Sequence, residues 1–134
     1  MQLNITTDYA IRTVLFLAMQ DKLTTSAEIS QAMDIPKNYQ LRIIRPLVKN
    51  GILQCVQGVK GGFYLRKKST DITLYDIVSA MEPTMCINKC LEDDRYCNLF
   101  TATTCPIQSF YKKMQQAMEG QLKTATIANL LKRP

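Results

Sequence analysis

A chain of 134 residues can bury one hydrophobic core, as a single domain or a head with a helical appendage, so its cysteines are not needed as staples. The net charge of +6 is uneven: residues 1–70 hold ten Lys/Arg against four Asp/Glu, while residues 71–134 hold seven of each. A basic half suits a polyanion, although a solvated surface explains charge alone equally well. Histidine is absent, which excludes Cys–His nucleophilic catalysis and Cys2His2 zinc.

No apolar run reaches the ~18–20 residues that span a membrane. The start, MQLNITTDYA, lacks the basic-then-apolar order of a signal peptide, so a cytoplasmic location is expected. No paired acid and base or activated nucleophile stands out, so an enzyme is not expected.

In chain order, residues 7–20 (TDYAIRTVLFLAMQ) read as a helix, with Thr6 or Thr7 as its cap and Ala10, Val14, Leu17 and Ala18 on one stripe. Thr25-Ser26 then caps AEISQAM, with Glu28 placed for a capping box. After Asp34-Ile35-Pro36, a third helix is predicted over residues 37–50. Tyr39, Ile43, Leu47 and Val48 can face inward, while Lys37, Asn38, Gln40, Arg42 and Arg45 crowd its first half. Pro46 should kink that helix or end it early.

Helix, short turn and second helix match a helix-turn-helix, whose recognition helix sets its N-terminal residues against base edges. By itself the third segment is also an ordinary amphipathic helix with a charged outer face. Gly51 stops it. Two strands follow, residues 52–56 and 63–66, joined by a glycine-rich turn, and a hairpin in this place reads as a wing with Lys60 at its tip. Candidate DNA contacts are therefore Ser26, Lys37, Asn38, Tyr39, Gln40, Arg42, Lys60 and Gly61. Cys55 reads as a small buried hydrophobe in a strand. Thr73 caps a helix that ends at Glu82-Pro83, and Cys105-Pro106 opens a long one. Ile107, Tyr111, Met114, Met118, Leu122 and Ala125 form a stripe along it, with Phe110 adjacent. That stripe exceeds what a three-helix head can cover, so pairing with a second subunit is expected. Thr126 caps a final short helix, IANLL.

The expected fold is mainly α with a small β-hairpin: a winged helix-turn-helix head at 1–84, a cysteine-rich loop at 85–105, and a dimerisation helix with a C-terminal segment at 106–134. The loop, CINKCLEDDRYCNLFTATTC, holds all the cysteines but Cys55. In a reducing compartment such clustering points to metal or redox chemistry, because thiolates are soft ligands for iron–sulfur clusters, zinc or copper(I). A 4Fe-4S cluster commonly takes thiolate ligands only, and without histidine no histidine-ligated cluster can form. Zinc or thiol oxidation in the same loop remains open, as does a small electron-transfer protein. Asp8 in the first helical turn has an ordinary reading too, favoured by the macrodipole and paired with Arg12.

The opening MQLNITTDYAIR, the run IPKNYQLRIIRPLVKNGIL, the wing GVKGGFYL, the segment DIVSAMEP and the cysteines after it resemble the bacterial winged helix-turn-helix repressors of the IscR and NsrR family. Thr7-Asp8-Tyr9 with the cysteine spacing looks most like the nitric-oxide-sensitive members. The resemblance implies a homodimer on a partly palindromic double-stranded DNA operator. It also implies an iron–sulfur cluster (4Fe-4S, with 2Fe-2S as the alternative) on Cys90, Cys97 and Cys105, with Asp8 of the partner subunit as fourth ligand. Two departures stand out. The Cys90–Cys97 and Cys97–Cys105 intervals hold six and seven residues, longer than is usual, and Cys86 is additional and can supply the fourth ligand instead.

Overall fold

The computed structural model describes residues 1–93 and 105–132. Helix α1 (Ile5–Gln20) begins two residues earlier than its pattern suggests. Asn4, not Thr6 or Thr7, is the cap, and its side chain accepts from the Thr6 N–H at 3.3 Å. The earlier start carries Thr7 inside, where its hydroxyl donates to Glu82 at 2.8 Å. The apolar stripe of Ala10, Val14 and Leu17 is fully buried and forms the centre of the core.

Helix α2 (Ser26–Met33) carries the expected capping box: the Thr25 hydroxyl accepts from the Glu28 N–H, and the Glu28 carboxylate accepts from the Thr25 N–H. Such a cap contributes about 1 kcal/mol. The third helix departs from its expected form. Residues Lys37–Tyr39 make a 3-10 turn capped by Pro36, and α-helix α3 (Gln40–Lys49) follows. The Tyr39 N–H bonds the Pro36 carbonyl at 3.0 Å, which fixes the tighter turn. Pro46 neither ends nor shortens α3, which runs through it. The donor it lacks would have met the Arg42 carbonyl, on an exposed residue where water can serve. Burial of Ile43, Ile44 and Leu47 holds the helix to the core meanwhile.

Gly51, at φ 73°, turns the chain out of α3. Strands β1 (Leu53–Val56) and β2 (Gly62–Leu65) pair antiparallel, with Leu53 opposite Leu65 and Val56 opposite Gly62. Helix α4 (Leu74–Met81) starts at Thr73 with a second capping box, closed by Asp76. Helix α5 (Pro106–Thr124) begins with Pro106 in its first turn, where the missing N–H costs nothing. Helix α6 (Ile127–Leu131), capped by Thr126, returns to the head. There the Ile127 N–H bonds the Ile72 carbonyl, Leu74 bonds Ala125, and Ile127 is fully buried.

The architecture is thus mostly helical with one antiparallel hairpin among the described residues, a winged helix-turn-helix head followed by a long helix. No described helix is long and apolar enough to cross a membrane.

Candidate nucleic-acid interface and metal centre

The helix-turn-helix presents some of its candidate side chains outward and turns others in. Ser26, Lys37, Asn38 and Arg42 are exposed. Tyr39 is half-buried, its ring packed edge-on against Tyr9 at 5.2 Å between centroids, with the Arg42 guanidinium 5.7 Å from the Tyr39 centroid. Gln40 reaches back to α2, where its amide donates to the Ser30 hydroxyl at 2.6 Å. Its Oε1 is buried with no hydrogen bond among the described residues. Gln40 thus ties α3 to α2 and Tyr39 packs against α1, while Lys37, Asn38 and Arg42 stay exposed.

The wing is shaped by glycine. Gly58 has φ 108°, which L side chains rarely adopt. A Cβ on Gly61 would press on the Val56 and Gly58 carbonyls, so Lys60 stands exposed on a turn that admits no bulk behind it. One residue on, a Cβ on Gly62 would lie 2.7 Å from the Thr24 carbonyl, where Thr24 and Phe63 exchange backbone hydrogen bonds at 2.8 and 3.0 Å. Gly62→Ala is expected to cost about 1–3 kcal/mol by forcing these backbones apart. Chemical denaturation measures it, and unchanged stability would show that the contact can relax.

The cysteine segment is tied to α5 by glutamines. Gln115, 9% exposed, accepts from the Ile87 N–H at 2.8 Å and donates to the Met85 carbonyl at 2.6 Å. Gln108, 5% exposed, donates to the Cys90 carbonyl at 3.1 Å. Cys105 is the N-terminal cap residue of α5, one turn before Gln108, so Cys90 and Cys105 are brought to the same end of that helix. The Cys90 sulfur accepts from the Asn88 amide at 3.2 Å, and the Cys86 thiol lies 3.6 Å from the Leu91 carbonyl. Cys55, Cys86, Cys90 and Cys105 are all free and half-buried. Cys97 lies outside the described residues.

Asp8 lies on α1, paired with Arg12 at 2.8 Å. Arg12 also donates to the Met33 carbonyl at 3.4 Å, at the end of α2, and stacks over Tyr9 at 5.4 Å. Among the described residues no three Cys, Asp or Glu side chains converge on one point. A cluster fits this donor set in part. Two soft thiols stand at one end of α5, and the remaining candidates are Cys97, Cys86 and a carboxylate that now holds an arginine.

Pattern reading missed Glu82, which accepts from both the Asn4 N–H at 2.9 Å and the Thr7 hydroxyl, fastening the end of α4 to the start of α1. Gln108 and Gln115 were missed as well. Their spacing of seven was the available signal, since it sets both on one face of α5.

Comparison with known proteins decides the family. The profile of the Rrf2 family, described as iron-dependent transcriptional regulators, matches residues 3–133. The chain belongs to the Rrf2 family. Solved structures of similar fold include CymR (YrzC), the global cysteine regulator of B. subtilis, at 20% identity and TM-score 0.78, covering 97% of this chain and 95% of that one. T. potens IscR matches at 22% identity and TM-score 0.74, over 98% of this chain and 87% of that one. The oxidized form of Staphylococcus aureus CymR matches at 20% and 0.76, over 100% and 98%. At these identities the structural likeness establishes the fold, while the profile match makes the chain an Rrf2 transcriptional regulator with a DNA-binding head.

Proposed function

We propose that this Rrf2 regulator is a cytoplasmic homodimeric repressor whose grip on a double-stranded operator is set by an iron–sulfur cluster on Cys90, Cys97 and Cys105. Nitric oxide, redox state or iron supply is the signal. The observation that carries this reading is the placing of Cys90 beside the start of α5, where Cys105 stands, by Gln108. Exposed Ile107, Phe110 and Met114 on the same helix support pairing with a second subunit. Asp8 from that subunit, or Cys86, completes the ligands.

Bound there, a 4Fe-4S or 2Fe-2S cluster would supply a centre that nitric oxide and oxygen attack. The chain's own residues do the rest. An Asp8 carboxylate drawn to a metal would share its charge with it and hold Arg12 less firmly, and Arg12 touches the end of α2 and the Tyr9–Tyr39 stack below Arg42. Ligation and recognition-helix position are thereby linked. Half-sites lie about one helical turn apart, so a small change in helix spacing selects between binding and release.

A zinc or thiol-oxidation switch in the same segment is the second reading, favoured by three free thiols, Cys86, Cys90 and Cys105, around one short stretch. Family membership sets aside the electron-transfer protein. The deciding experiment is an anaerobic absorption spectrum with iron and sulfide content per subunit, followed by operator binding with and without nitric oxide. A visible chromophore and binding that responds to nitric oxide are expected. Colourless protein holding zinc, or binding indifferent to nitric oxide, would sink the cluster reading.

A further inference from the structure

Recognition helix and wing tip account for only part of the positive charge in residues 1–70. Lys22, Arg66, Lys67 and Lys68 instead line a cleft of about 450 Å³ between the end of α1 and the foot of the wing. Asp21 is the acid among its lining residues, and the cleft's cations carry no ion pair among the described residues. Unpaired cations around one hollow repel each other, a cost that a bound polyanion removes. The hollow is also built into the fold. The Arg66 N–H bonds the Ile52 carbonyl at 2.9 Å, and the Thr24–Phe63 bridge holds the Lys22 turn alongside β2. Tyr64, 41% exposed, adds an aromatic wall.

The position of the cleft names its occupant. On one side of the Thr24–Phe63 bridge the paired backbones run toward Ser26 and the wing tip, and on the other toward Lys22 and Arg66. Positive charge therefore stands at both ends of the wing, Lys60 at its tip and Arg66, Lys67 and Lys68 at its foot, with uncharged β2 between them. A strand rises about 3.3 Å per residue, so the foot lies on the order of 15–20 Å from the tip, or about five base pairs of duplex.

We infer that the wing lies along the DNA rather than end-on to it, and that the cleft at its foot grips backbone phosphates outside each half-site. This rests on the operator-binding reading and extends it. The regulator then has a footprint longer than the sequence it reads, with a flank contribution that depends on salt and not on base identity.

The test uses a duplex recovered by the full-length protein from a random library. It is trimmed to its selected core or left with about ten base pairs, one helical turn, of arbitrary flank on each side. The flanked duplex is expected to bind about tenfold more tightly at low salt, and R66Q/K67Q/K68Q to lose that gain while holding the core nearly as wild type does. Its salt slope on the flanked duplex should fall by about 2–3. K112Q/K113Q/K132Q removes equal charge from the C-terminal half and should keep the flank gain. Three results would overturn the inference: wild type indifferent to flanks, the wing-foot variant weakened equally on both duplexes, or a cleft that takes up free inorganic pyrophosphate while the flanks count for nothing. If no duplex is recovered at all, the operator reading falls with it. Core binding without a flank gain removes this inference alone.

Discussion

Protein carrying C90S or C105S and prepared without oxygen is expected to lose its iron and sulfide together, and with them the visible absorption. Serine has nearly the shape of cysteine but a hard, weakly acidic oxygen, which is a poor ligand for a centre that prefers thiolate. Both positions are half-buried and their described hydrogen bonds are few, so stability should stay within about 0.5–1 kcal/mol of wild type. Loss of metal without loss of fold is what separates a ligand from a packing residue. Operator affinity should change by about 5–150-fold, the usual range for coupling between two sites. C55S is the control, because Cys55 sits in β1 opposite Phe63, away from the start of α5. It should keep its cluster. D8A and C86S then choose the fourth ligand, since only one of them should bleach the protein. Full iron content in C90S or C105S would remove the sensing role from that residue.

The parts of this fold legible in the sequence are those whose causes are local. Thr25 with Glu28 and Thr73 with its helix announce two helix starts because a cap is satisfied within one turn. The hairpin was legible for the same reason, its glycines marking a turn between two apolar runs. The misses share a different cause. Asn4 caps α1 because Thr7 has a remote partner in Glu82, and no pattern near residue 7 reports on residue 82. Pro46 is expected to kink or end its helix because it pushes Arg45 away from helical angles, but α3 continues to Lys49, held by Ile43, Ile44 and Leu47 across the core, and burial outweighs that local preference. At the site, residue types suggest a chemistry, and contacts made across the fold constrain which side chains are available for it. Gln40 looks like a base reader by type, yet Ser30 holds its amide.

Gln115→Leu is expected to lower stability by about 2–4 kcal/mol, although it puts an apolar side chain of similar size on an otherwise apolar helix stripe. The reason is what the glutamine leaves behind. Its oxygen takes the Ile87 N–H, and its nitrogen serves both the Met85 carbonyl and Glu119, at 3.1 Å. Leucine strands the two backbone groups in a partly buried seam, where each costs about 1–3 kcal/mol unless the segment lifts off to find water. Lifting off is the more informative outcome. Residues 85–91 would separate from α5, so amide exchange at Ile87 should accelerate and the Cys90 thiol should be alkylated faster in metal-free protein. Gln115→Glu should fare no better, because it keeps the acceptor for Ile87 but sets a second carboxylate against Glu119 and the Met85 carbonyl. Gln116→Leu, on an exposed position next door, should leave both rates unchanged. If Gln115→Leu were as stable as wild type with normal Ile87 protection, the cysteine segment must be held by something other than this amide. The nearness of Cys90 to the start of α5 would then rest on Gln108 alone.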